Sequence, residues 1–174
     1  MYKTLYNDVI PKLSPEQKSN ISFVVQQVPQ PWHPHSSYVH EAALAVKDVS
    51  PDSFPSAVDA LYSAYTSGKF QDESTWDKSR AQIYEELVKE LPASVDAAAV
   101  AAKLTLKEGG GGTHMTQAIK WACKYHRGRG VHVTPTVHVN GLEAGVISSG
   151  WTAEQWLKFI EPMGEDNWTG SKLS

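Results

Sequence analysis

The chain has 174 residues, ordinary apolar content and a net charge of −3 at neutral pH. That length suits one domain with a real core, and the small charge implies no strong field towards nucleic acid or an anionic membrane. No run of 18 apolar residues is present, which excludes a spanning helix, and the first residues lack the apolar core and small-residue site of a secretory signal.

Leu5, Val9 and Leu13 recur at four-residue spacing beside Tyr2 and Tyr6, which predicts a helix over residues 2–13 whose end Pro11 disturbs. Residues 14–17 read as a loop or one helical turn. Residues 21–28 carry Ile21, Phe23, Val24, Val25 and Val28, a near-continuous apolar run that predicts a strand covered on both faces. Pro29, Pro31 and Pro34 end it. Ser36 or Ser37 caps a helix through Val49, with Glu41 in its early turns favouring the positive end of the dipole. Ser50-Pro51 starts a helix to about Ser67, stopped by Gly68. Residues 74–91 read as a further helix ended by Pro92, and Ser94 caps an alanine-rich one over 95–106.

Four glycines at 109–112 read as a flexible joint; they follow a helix and lack the Lys-Ser/Thr of a phosphate loop. Residues 113–127 are predicted helical, with Met115, Ile119, Ala122 and Cys123 on one face and basic residues before Gly128 and Gly130. Residues 130–141, G-V-H-V-T-P-T-V-H-V-N-G, hold two short period-2 runs around Thr134-Pro135. The proline cannot donate to a ladder and belongs at a strand start or a bend. A strand over 136–140, a tight turn at Asn140-Gly141 and a strand over 143–147 are expected. Thr152 caps a last helix, 153–160, with Trp156, Leu157 and Ile160 inward. The tail, 162–174, is expected to be loosely held. Its S-K-L tripeptide stands one residue short of the end, whereas a receptor-read peroxisomal address is terminal.

The 130–141 segment resembles the end of a thioredoxin-type fold of the DsbA-like branch, where G-V-x-x-T-P-T-x-x-x-N-G carries a cis-proline beside the active site. Residues 28–46, V-P-Q-P-W-H-P-H-S-S-Y-V-H-E-A-A-L-A-V, look like that branch's strand exit and helix start, and Trp151-Thr152 through Trp156-Leu157 like its closing helix. The resemblance implies an α/β fold: a single thioredoxin-like domain over 1–174, with a helical insertion at about 37–127 and the sheet and closing helix at 128–161. By resemblance Pro135 is the cis-proline. The backbone of Val133, Thr134 and Pro135 would then contact an extended peptide or a small thiol or disulfide ligand by strand addition. The implied activity is thiol–disulfide exchange with no cofactor, no nucleic acid and no membrane.

In that branch the C-x-x-C motif, or a serine or single-cysteine variant, follows the first core strand at the start of a helix, where the dipole stabilises a thiolate. This chain opens in what should be that helix. The expectation is an N-terminally incomplete fold, a truncated product or shortened gene model, inactive as a dithiol enzyme and without assigned catalytic residues. A partner strand or a second copy would cover the unpaired sheet edge. The alternative is a non-catalytic thioredoxin-like binding module.

The other reactive side chains have plainer readings. Cys123 is the only cysteine, so neither an internal disulfide nor a zinc site of two thiolates can form. It reads as a structural thiol on an apolar helix face, and one cysteine points to a reducing, cytoplasmic setting. His33, His35 and His40 form H-x-H plus a third imidazole, without carboxylate or thiolate at a ligand spacing, so no metal site is assigned. His132 and His138 alternate with valines and face solvent or an adjoining helix, with His132 beside the Pro135 groove.

Overall fold

Local bonding opens the first helix. The Ser14 hydroxyl accepts from the Gln17 amide at 3.1 Å, and the Gln17 side chain accepts from the Ser14 amide at 3.0 Å. This reciprocal cap has Pro15 in the first turn. The computed structural model describes residues 1–164. Its helices in chain order are α1 (Pro15–Asn20), α2 (Ser36–Val49), α3 (Phe54–Thr66), α4 (Asp72–Thr75), α5 (Arg80–Lys89), α6 (Ala97–Leu104), α7 (Thr116–Gly128) and α8 (Ala153–Ile160). Strands β1 (His138–Val139) and β2 (Leu142–Glu143) form the one sheet among the described residues. The described residues are mostly helical, so the α/β expectation of a larger sheet narrows to one two-stranded hairpin. No helix among the described residues is long and apolar enough to cross a membrane.

The chain divides into two compact units, one of them Gln26–Gly130 and the other joining Met1–Val25 to the chain from Val131 onward. In Gln26–Gly130, α2 packs against α3, α5, α6 and α7. Its Ala42, Ala43, Ala45 and Val46 are buried with Ala57, Leu61, Leu87, Val100 and Leu104. The run of small residues lets the neighbouring backbones approach α2 closely, which is how one helix can touch four others.

In the other unit Val9, Leu13, Trp156 and Ile160 are buried together, with Ile21, Phe23, Val137, Ile147 and Trp151 partly buried against them. Helix α8 is capped reciprocally. The Thr152 amide donates to the Gln155 side chain at 2.9 Å, and the Gln155 amide to the Thr152 hydroxyl at 3.4 Å. Trp156 and Ile160, four residues apart, then share its buried face.

Several elements differ from expectation for identifiable reasons. Residues 21–28 form no strand among the described residues. Only Ile21 and Phe23 reach the core while Val24 is 73% exposed, so the run is covered on one side only, and no neighbouring backbone pairs with it. The N-terminal helix is instead a wide π-helical turn, Thr4–Val9, followed by a 3₁₀ turn, Ile10–Lys12, where Pro11 removes a donor. The helix expected over 74–91 is split into α4 and α5, because Ser79 and Gln82 cap α5 reciprocally. Asp96, not Ser94, caps α6 by accepting from the Ala99 amide at 3.0 Å. The glycines at 109–112 make a closed turn rather than an open joint. Leu106 and Thr113 bridge, and the Lys107 amide donates to the Gly112 carbonyl at 2.8 Å.

The hairpin is shorter than expected. His138 pairs with Glu143 and Val139 with Leu142, and the Ala144 amide extends the pairing to the Val137 carbonyl at 2.9 Å. The turn residues Asn140 and Gly141 have φ of 49° and 85°, the left-handed geometry a two-residue hairpin turn requires. Of the tail, Glu161–Gly164 forms a 3₁₀ turn; residues 165–174, with the S-K-L tripeptide, lie outside the described residues.

Candidate functional site

The loop leading into β1 is anchored at its C-terminal end. Val137 packs on the unit's core and holds the start of the hairpin there. Upstream, His132, Val133, Thr134 and Pro135 are all exposed. Val133 is 68% exposed although apolar. The Thr134–Pro135 peptide bond is cis. The Thr136 hydroxyl donates to the Val133 carbonyl at 2.6 Å, while the Val133 amide has no hydrogen-bond partner among the described residues. The loop therefore offers a backbone donor beside an exposed apolar side chain. His132 is exposed, and His138 is half-buried opposite Glu143.

A cleft of about 460 Å³ in the same unit lies elsewhere. Lys12, Gln17, Glu154, Leu157, Lys158 and Glu161 line it, and none of Val133, Thr134 and Pro135 does. Two lysines facing two glutamates give it no net preference for either sign of charge.

Within Gln26–Gly130 the histidines separate. His33 Nδ1 faces Asp72 Oδ2 at 3.0 Å, and His35 Nδ1 faces Asp72 Oδ1 and Thr75 Oγ1, each at 3.3 Å. Burial pushes the His35 pKa down; Asp72 opposes this and His33 adds to it. His40 interacts with His126 instead, and burial first, then that neighbour, lowers its pKa to about 4. No group of three or more His, Cys, Asp or Glu side chains able to hold a metal ion occurs among the described residues. Cys123 is a free, half-buried thiol on α7.

A polar cluster not anticipated from the sequence is centred on Glu41, which is 3% exposed on α2. Tyr84 Oη donates to its Oε2, as does Arg80 at 2.8 Å. The Thr113 and Thr116 hydroxyls donate to its Oε1 at 3.1 and 3.0 Å. Arg80 also donates to Tyr84 Oη at 2.8 Å and lies over the rings of Tyr38 and Tyr84. Burial, then the bond to Glu41, raises the Tyr84 pKa well above the usual phenol range, so Tyr84 stays protonated and donates. Burial lowers the Arg80 pKa, but its bonds to Tyr84 and Glu41 outweigh that and raise it. With every lone-pair direction engaged and no route to solvent, Glu41 ties α2, α5 and the start of α7 together and is not available as a base. One signal was legible: Glu41 falls on the same stripe as Ala42, Ala45 and Val46, which the helical period turns inward.

Neither a protein-family model nor a curated protein matches the chain. Among solved structures it is similar to a Pseudomonas syringae protein provisionally named a protein-disulfide isomerase, at 24% identity and a TM-score of 0.61. The match covers 78% of this chain and 72% of that one. The likeness shows a shared fold, mostly helical with a small sheet in this chain.

Proposed function

We propose that this chain is a DsbA-like relative of the thiol–disulfide oxidoreductases, working in a reducing, cytoplasmic setting. It would bind an extended peptide, or a small thiol or disulfide ligand, along the backbone of Val133, Thr134 and Pro135. It performs no dithiol exchange by itself. The observation that carries the reading is the exposed Val133, whose amide has no partner in the loop before β1. The unpaired segment at residues 21–28 is where a partner strand or a second copy would add. A second reading, a non-catalytic interaction module, keeps the loop and drops exchange chemistry altogether. The single, half-buried cysteine favours it.

The test is calorimetric titration with reduced, carboxymethylated insulin B chain as the extended peptide. Val133→Pro removes the amide and is expected to weaken binding about 3- to 10-fold, the value of one hydrogen bond. Val133→Ala keeps the donor and is expected to bind nearly as the native chain does. Equal binding by the proline variant, or none by the native chain, would refute the loop assignment. Insulin reduction driven by dithiothreitol is expected to run at the uncatalysed rate. Turnover lost in Cys123→Ser would overturn the non-redox half of the reading.

A further inference from the structure

Charge is distributed unevenly along the chain. Residues 109–142 contain Lys120, Lys124, Arg127 and Arg129 and no acidic residue, so all 19 Asp and Glu lie elsewhere. The modest overall charge conceals this segregation. Helix α7 carries three of the four cations on its outer side. At 100° per residue Lys120, Lys124 and Arg127 form one stripe along the axis, and Trp121 and Tyr125 form a second stripe beside it. All five side chains are exposed, Trp121 by 63% and Tyr125 by 46%.

Elsewhere in this unit Lys69, Lys78, Arg80 and Lys103 each hold a carboxylate at 2.6 to 2.8 Å. Lys120, Lys124 and Arg127 hold none among the described residues, and the Lys124 ammonium instead lies 5.1 Å over the Trp121 ring. Like charges at four-residue spacing disfavour a helix. Arg129 likewise lies 5.6 Å over the Tyr125 ring, so each ring meets one cation while much of it stays in water. The stripe of like charge without carboxylates is therefore the unfavourable part of this face, and an anionic partner would relieve it.

We propose that this face of α7 binds single-stranded nucleic acid. Such a strand repeats a phosphate and a base in every unit, so a line of charge runs beside a line of flat π surfaces. The two stripes match that arrangement, with cations on the backbone and indole and phenol rings stacked on bases. An acidic peptide supplies the charge without the π faces. A duplex supplies phosphates with its bases already stacked inward. An anionic bilayer asks for a continuous apolar stripe, and this face offers two rings only.

Fluorescence anisotropy of the full chain with labelled dT20 is the test. Competitors are an unlabelled 20-base-pair duplex, heparin, a poly-glutamate peptide and phosphatidylserine vesicles. With about three phosphate contacts on a single strand, raising salt from 50 to 200 mM is expected to weaken binding roughly 20-fold. Trp121→Ala and Tyr125→Ala are each expected to weaken it about 5-fold or more at constant salt. Lys120→Glu with Lys124→Glu is expected to abolish it. Because these side chains are exposed, circular dichroism and the thermal midpoint should be unchanged, which separates lost binding from lost folding. No binding at 50 mM salt overturns the proposal. So does binding that heparin, duplex or poly-glutamate matches and that ignores the two aromatic substitutions, which would describe a general polyanion patch. Binding to vesicles without binding to dT20 overturns it as well.

Discussion

Glu41 owes its position to donors that come from far along the chain. Tyr84, Thr113 and Thr116 stand 43, 72 and 75 residues away and all converge on one carboxylate. A buried carboxylate survives only when its oxygens are filled. Here two hydroxyls fill one oxygen, and a phenol and a guanidinium the other. Removing the acceptor strands the donors. The Arg80 side chain is about one-third exposed and can turn to water, whereas Tyr84 and Thr113 are buried and cannot. Glu41→Ala is therefore expected to cost about 3 kcal/mol, below the upper end for broken buried pairs. Urea unfolding followed by circular dichroism should show a lower midpoint at unchanged slope. A loss under about 1 kcal/mol would mean that the cluster is not what holds α7 to α2.

At the scale of elements, the turn before α7 ties backbone to that cluster. Gly112 has φ of +73°, and a Cβ there would overlap Thr116 Oγ1 and lie 2.9 Å from Thr116 Cβ. Thr116 cannot yield freely, since its hydroxyl accepts from the Thr113 amide and donates to Glu41. Gly112→Ala thus meets a left-handed φ and a clash together, and is expected to destabilise by about 2 to 3 kcal/mol. Combined with Thr116→Ala the cost should be well below the sum, and full additivity in a double-mutant cycle would refute the coupling. Elements of this kind were legible where bonding is local. Thr152 and Gln155 announce α8 by a cap three residues long, and Asn140-Gly141 announces the hairpin by its need for positive φ. The Ser79–Gln82 cap was equally local and marks where the expected long helix breaks. Residues 21–28 misled because an apolar β-branched run records what could pair, not whether a partner backbone stands beside it. For the same reason the exposed loop at Val133 could be placed from its flanking pattern, while Glu41 could not be assigned its donors.

Taken whole, the chain has two cores, and the histidines that burial shifts, His35 and His40, lie in Gln26–Gly130. That unit contains His40 on α2, whose pKa is lowered from 6.5 to about 4 by burial and then by His126. Below about pH 6.5 the unfolded chain takes a proton on His40, while the folded chain does not until about pH 4. The unfolded state binds more protons across that window, so stability rises with pH through it. Stability is held in full above pH 6.5 and falls as the pH drops towards 4, by about 3 kcal/mol from His40. His35, also shifted down by burial, pushes in the same direction. Urea midpoints at pH 7.5, 6, 5 and 4.5 are expected to decrease steadily. His40→Leu removes the titrating group and should flatten that slope, whatever its effect on stability at pH 7.5. A native midpoint independent of pH between 7 and 4.5, or a slope unchanged in His40→Leu, would show that His40 meets water more freely than its place between α2 and α7 implies.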